Sequence, residues 1–141
     1  MLVDTFEIRH FEDDDGDAKA VTRAFKKANI ANPITRAYDG VEALRILQDK
    51  SHEKCPAEPF IILLDLNMPR MDGIEFLQNL RNDPELKKTI VFILTTSKSD
   101  EDKSQAYDFN VAGYIVKETA GRDFLHLIEM IGDYWRLVEM P

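Results

Sequence analysis

The sequence predicts an α/β protein of the doubly wound class, a five-stranded parallel sheet with helices on both faces, and three observations point there. Two runs, Phe60-Ile61-Ile62-Leu63-Leu64 and Ile90-Val91-Phe92-Ile93-Leu94, are apolar without alternation, as strands buried on both faces must be. Around them lie segments whose apolar residues recur at helical spacing. The two kinds of segment alternate five times with no repeat or linker between them, so crossovers of one hand wrap the sheet on both sides.

The elements follow in chain order. Phe6 to Phe11 reads as the first strand. Val21, Ala24, Phe25 and Ala28 stand at i, i+3, i+4 and i+7, which predicts a helix over about 17–28, with Asp15 and Asp17 in the solvated acidic turn that caps it. Pro33 to Ala37 is the second strand, closed by the turn signal Asp39-Gly40. Val41, Leu44 and Leu47 start a second helix that runs out in Ser51 to Pro56, the most loop-like segment of the chain. After the strand at 60–64, Asp72-Gly73 marks a turn and helix start, and Ile74, Leu77 and Leu80 share one face until Pro84 stops the helix. After the strand at 90–94, Ser99 with Asp102 resembles a capping box with the shorter acid and opens a polar helix ending near Asn110. Gly113 to Val116 is the fifth strand, and about 122–138 the last helix.

Composition bounds the function. The chain of 141 residues fits one domain, with a core over about 6–137, and 44% hydrophobic with 31% charged residues is an ordinary globular balance. Eighteen basic against 26 acidic residues give a net charge of -8, which repels a phosphate backbone and excludes direct nucleic-acid binding. The single cysteine, Cys55, allows no intramolecular disulfide, no thiolate-rich metal site and, lacking a nearby His motif, no evident nucleophile. No window reaches the roughly 18 apolar residues of a membrane span, and the acidic start is unlike a signal peptide, so a cytoplasmic protein is expected.

Open parallel sheets bind ligands beyond the carboxyl ends of their strands. The residues there are Glu12-Asp13-Asp14-Asp15, Asp65, Thr95-Thr96-Ser97 and Lys117. Glu12, Asp13 and Asp65 suit a hard divalent cation such as Mg²⁺. A carboxylate beside such a cation can attack phosphorus while an ammonium and a hydroxyl neutralise the transferred group, roles that fit Asp65, Lys117 and Thr95. An EF-hand fails on spacing: with Gly16 in sixth place, Phe11 and Thr22 would stand first and twelfth. His10, His52 and His126 share no metal-ligand spacing and are read as structural or surface residues.

Taken together, Phe11-Glu12-Asp13, the stretch Leu64-Asp65-Leu66-Asn67-Met68-Pro69-Arg70-Met71-Asp72-Gly73, Thr95-Thr96 and Gly113-Tyr114-Ile115-Val116-Lys117 resemble a receiver domain of the CheY-like response regulators, over about 6–137. The resemblance implies a flavodoxin-like fold and a phosphoacceptor, Asp65, that takes its phosphoryl group from a sensor histidine kinase. It also implies Mg²⁺ (or Mn²⁺) held by Glu12, Asp13, Asp65 and the main-chain carbonyl of Asn67, with Thr95 and Lys117 on the phosphoryl group. Tyr114 would couple to Thr95 as the switch. Such a protein is a phosphoacceptor switch that phosphorylates itself from phosphohistidine and dephosphorylates slowly, not an enzyme in the ordinary sense.

One departure is that Glu118 follows Lys117 where receivers usually carry proline, which leaves the loop geometry after strand five open. With no output extension in the sequence, a single-domain regulator spanning 1–141 is expected. Glu12-Asp13-Asp14, the missing proline, and the end with Tyr134-Trp135, Val138 and Pro141 resemble the small regulators paired with bacteriophytochromes. Two other functions use similar architecture. A haloacid-dehalogenase-type phosphohydrolase needs a second Asp two residues after the nucleophile, where this chain has Asn67, and a flavin carrier needs a phosphate-cradling loop where Glu12 to Asp15 would repel it.

In the last helix, Phe124, Leu127 or Ile128, Ile131, Trp135 and Val138 suffice for a core stripe, and Leu125, Met130, Tyr134 and Leu137 are surplus. With Tyr107 and Phe109 nearby, they predict a twofold homodimer through helix four, strand five and helix five, anchored around Tyr134 and Trp135.

Overall fold

A computed structural model of the protein describes residues 7–28, 30, 32–49, 59–121, 124–139 and 141. Five strands alternate with five helices: β1 (Glu7–Phe11), α1 (Asp15–Lys27), β2 (Ile34–Ala37), α2 (Gly40–Gln48), β3 (Phe60–Leu64), α3 (Gly73–Asn82), β4 (Ile90–Thr95), α4 (Asp100–Asp108), β5 (Gly113–Val116) and α5 (Leu125–Leu137). A 3₁₀ turn over Lys117–Thr119 follows β5. The sheet is entirely parallel in the order β2-β1-β3-β4-β5. The order reverses between β1 and β3, and there the loops leaving the two strands part to opposite faces and open a crevice.

The unbroken apolar runs have the cause predicted for them. In β3, Phe60, Ile62 and Leu64 pack under α2 and α3, while Ile61 and Leu63 pack under α1 and α5. Each face is closed by its helices: Ala43, Ile46, Leu47, Phe76, Leu77 and Leu80 on one side, and Val21, Phe25, Leu127, Ile128 and Ile131 on the other. The registers Phe11↔Leu64, Ile93↔Leu64 and Thr95↔Val116 level the strand ends, so the first residues beyond them share one rim.

Several boundaries move. Helix α1 begins at Asp15, and its N-cap is Asp14, whose side chain accepts from the Asp17 backbone N–H, so Asp15 and Asp17 lie inside the first turn rather than capping it. Strand β4 extends to include Thr95. Asp72 caps α3 as the turn signal predicts, accepting from Glu75 N–H at 2.9 Å. Ser99 caps α4 through Asp102 N–H, but the Asp102 carboxylate turns to the Ser97 hydroxyl at 2.6 Å, and only half of the capping box forms.

In α5 the division of the apolar residues is corrected. Tyr134 is half-buried with its ring edge-on to Phe92 at 5.0 Å between centroids, so it belongs to this domain's own packing, whereas Val138 is exposed. Among the described residues, no helix is long and apolar enough to cross a membrane. Phe6, the loop at 51–56 with His52 and Cys55, and the start of the last helix at 122–123 lie outside the described residues.

Candidate functional site

The rim at the ends of β1 and β3 is made of loops that touch. Glu12 N–H donates to Ala37 and Asp65 N–H to Phe11, so both acids leave their strands still fixed to a neighbouring strand. Gly73 N–H donates to the Leu66 carbonyl, and a Cβ on Gly73 would stand 2.7 Å from the Asp65 carbonyl oxygen. Only glycine lets α3 start so close under the loop that carries Asp65. Gly40 meets the same loop from α2, where a Cβ would lie 2.3 Å from the Met71 carbonyl oxygen. Arg70, in the left-handed region at φ 64°, grips the Asp39 cap of α2 through two nitrogens at 2.9 and 3.2 Å.

Within this frame Glu12, Asp13 and Asp65 each offer a carboxylate oxygen, all within 4.8 Å of one another. Glu12 and Asp65 are buried, and Asp13 is open to solvent on the outer side. Lys117 reaches the two buried acids from the end of β5, its Nζ 2.6 Å from Glu12 Oε1 and 3.4 Å from Asp65 Oδ2. The other Asp65 oxygen accepts from Asn67 N–H at 3.2 Å. Thr95 is fully buried at the end of β4, and its hydroxyl accepts from Ser97 N–H at 3.3 Å.

One ammonium among these carboxylates leaves an excess of negative charge. Burial, reinforced by the Asp65 carboxylate, pushes the Glu12 carboxyl up to about 8, although Lys117 pulls the other way. Burial alone would lower the Lys117 ammonium, but its bonds to Asp17 and Glu12 outweigh this and hold it above its ordinary value. An all-oxygen donor set with surplus charge fits a hard divalent cation. The carboxylates of Glu12, Asp13 and Asp65 and the ammonium of Lys117 are thus brought together.

Tyr114 is half-buried, and its hydroxyl donates to the Ser97 carbonyl at 3.0 Å in the β4–α4 loop, two residues beyond Thr95. Burial pushes the phenol up. Glu118, in place of the expected proline, enters the 3₁₀ turn, and its carboxylate pairs with Lys98 at 2.5 Å across the rim. Two residues escaped sequence reasoning. Arg36 donates to the Glu12 carbonyl and pairs with Asp15 at 2.7 Å, which steadies the acidic loop. Asp17, assigned to the cap, instead accepts from Lys117 Nζ at 2.7 Å.

Comparison with known proteins gives the family. The response regulator receiver domain family matches residues 10–129. The chain belongs to the response regulator receiver domains. It is 32% identical over 124 residues to the response regulator Rcp1 of Synechocystis, covering 88% of this chain and 84% of that protein. A Mn²⁺-bound structure of a response regulator Rcp1 superposes with a TM-score of 0.83 at 30% identity, covering 98% and 99% of the two chains. The phosphorylated cyanobacterial phytochrome response regulator RcpA superposes with a TM-score of 0.85, again at 30% identity and 98% and 99% coverage. The probable methanogenesis regulatory protein FilR2 of Methanothrix harundinacea is 35% identical over 133 residues, covering 94% of this chain and 84% of that protein.

The receiver is therefore a two-component signalling switch of the flavodoxin-like fold, homologous to phytochrome response regulators. The phosphohydrolase reading gives way to it. In this receiver the position two residues beyond Asp65 holds the exposed amide Asn67, with no carboxylate to serve as the second acid.

Proposed function

We propose that this receiver accepts a phosphoryl group on Asp65 from the phosphohistidine of a sensor kinase and thereby changes its partner-binding surface. The observation that carries the proposal is the convergence of Asp65 with Glu12, Asp13 and Lys117 at the β1/β3 crevice. In the transfer, an Asp65 carboxylate oxygen attacks phosphorus, the P–N bond to the kinase imidazole breaks as the P–O bond forms, and the imidazole nitrogen keeps the electron pair. Glu12, Asp13, Asp65 and the main-chain carbonyl of Asn67 would hold Mg²⁺, or Mn²⁺, which would supply positive charge to offset that of the phosphoryl oxygens. Lys117 neutralises one phosphoryl oxygen, and the Thr95 hydroxyl bonds another. Because Tyr114 and Thr95 both bond Ser97, a shift of Thr95 toward the phosphoryl group draws on the loop that holds the Tyr114 ring.

The likeness to phytochrome response regulators supports a bacteriophytochrome-type kinase as donor. The apolar residues left exposed near α4 and α5 support a twofold homodimer through α4, β5 and α5. The receiver unit in this scheme spans about 6–137.

Incubation with acetyl phosphate and Mg²⁺ is expected to add one acid-stable, base-labile phosphoryl group, read by intact mass, and Asp65→Asn to abolish it. Labelling that persists in the variant would overturn the acceptor assignment. Asp13→Asn is expected to slow labelling and weaken Mg²⁺ binding, because one anionic ligand is lost while the acceptor remains.

A further inference from the structure

Lys117 has three N–H donors, and three carboxylates surround them. Glu12 at 2.6 Å and Asp17 at 2.7 Å hold the ammonium tightly, and Asp65, the acceptor it is to serve, lies farthest at 3.4 Å. The three partners differ in what they can give up. The Glu12 side chain is wholly buried and Asp65 nearly so, whereas the Asp17 side chain is 35% exposed and can exchange a bond to Lys117 for bonds to water. Asp17 also stands outside the set of carboxylates that converge on the cation site. Its side chain is not needed to start α1, because the cap is the Asp14 carboxylate and Asp17 contributes only its backbone N–H. Nor does Arg36 take the place of Lys117: its Nη1 bonds Asp15 and its Nε the Glu12 carbonyl.

We propose that Asp17 is a positioning residue that holds Lys117 in the unphosphorylated receiver and releases it to the phosphoryl group when Asp65 is modified. The proposal rests on the phosphoacceptor role given to Asp65. Phosphorylation of Asp65 replaces its one carboxylate charge by the two of a phosphoryl dianion, a net gain of one, and drawing Lys117 from its long 3.4 Å contact with Asp65 onto a phosphoryl oxygen pulls it away from one of its two tight partners. The bond that breaks is the solvated one, to the first turn of α1. The Asp17–Lys117 pair therefore stabilises the unphosphorylated state alone, and its removal shifts the balance toward the phosphorylated one.

The test uses trifluoroberyllate with Mg²⁺ as the phosphoryl stand-in, titrated by calorimetry against the full chain. Asp17→Asn, isosteric and uncharged, is expected to bind it about five-fold more tightly than wild type, the weight of one partly exposed charge-assisted bond. Asp15→Asn removes the same charge from the same turn without touching Lys117, and any change it makes through Arg36 is expected to be smaller than that of Asp17→Asn. The Lys117 ammonium resonance in nitrogen-15 spectra of the metal-free protein reports the contact directly, and it is expected to move in Asp17→Asn while the amides of α1 beyond its first turn stay in place. An affinity that is unchanged or weaker in Asp17→Asn, an equal gain in Asp15→Asn, or an unmoved Lys117 resonance would overturn the proposal. Failure of the wild type to bind trifluoroberyllate is a different result: it takes down the acceptor assignment, and the role of Asp17 with it.

Discussion

Arg81 leaves the last turn of α3 and spends its whole guanidinium on main-chain carbonyls: Nε on Phe109 at 2.7 Å, Nη1 on Lys87 and Thr89 at 2.8 Å each, and Nη2 on Asn110 at 3.1 Å. It thus joins the end of α3, the run into β4 and the left-handed turn at Asn110 that closes α4. A lysine cannot span four acceptors in a fixed fork. Arg81→Lys and Arg81→Ala are therefore both expected to lower unfolding free energy by about 2 kcal/mol, the lysine recovering little. Urea titration of the two variants checks this, and a lysine variant as stable as wild type would show that the fork is not required.

His10 acts on stability through pH. It is buried beneath the site on β1, and burial, with Lys117 and Arg36 nearby, lowers its pKa from 6.5 to about 3, so the imidazole is held neutral. The unfolded chain binds the proton first, hence the contribution of His10 is complete above pH 6.5 and is lost as pH falls from there toward 3. The loss reaches about 2 kcal/mol at pH 5. Glu12 has the opposite sign, since its raised pKa makes folding more favourable as pH falls through 8 toward 4.5. Comparing wild type with His10→Asn at pH 7 and pH 5 separates the two: the variant is expected to lose less stability on acidification, and equal losses would remove His10 as the cause.

Among the elements, α4 is held differently from its neighbours. Of its residues only Ala106 is buried, whereas α3 buries Phe76, Leu77 and Leu80. What fixes α4 is polar: the Ser99 cap, the Ser97–Asp102 bond at 2.6 Å, and Arg81 at its far end. Few buried apolar contacts mean a low free energy of local opening. Amide exchange in α4 is therefore expected to be faster than in α3, and Ser99→Ala to accelerate it further at a cost of about 1 kcal/mol. Protection of α4 equal to that of α3 would contradict this account. Tyr114, bonded to the same loop through Ser97, places this weakly anchored helix next to the site.

For the whole molecule, the exposed apolar residues of α5 are Leu125 at 53% and Leu137 at 83%, Val138 just beyond its end is 39% exposed, and Tyr107 on α4 is half exposed. Tyr134 packs on Phe92, so Tyr134→Ala would damage the fold and say little about assembly. Leu137→Asp is the sharper probe. The wild type is expected to sediment as a dimer at micromolar concentration and Leu137→Asp as a monomer with an unchanged melting temperature. A wild-type monomer both with and without phosphorylation would rule out the proposed dimer.

The sequence by itself determined the order of elements and the chemical membership of the rim. Strands β3 and β4 were legible because a strand covered on both faces must be apolar at every position, and Glu12, Asp13, Asp65, Thr95 and Lys117 were legible because a parallel sheet puts its strand ends on one side. Only the tertiary structure decided the polar partnerships. Lys117 meets Asp17 from 100 residues away, Arg81 meets Asn110 from 29 and Arg70 meets Asp39 from 31. Periodicity did not foretell the side-chain directions that made Asp14 rather than Asp15 the cap and turned Tyr134 inward. The physical reason is one of range: apolar burial is written into local spacing as a repeat, whereas a charged side chain takes the opposite charge or carbonyl that the finished packing presents to it.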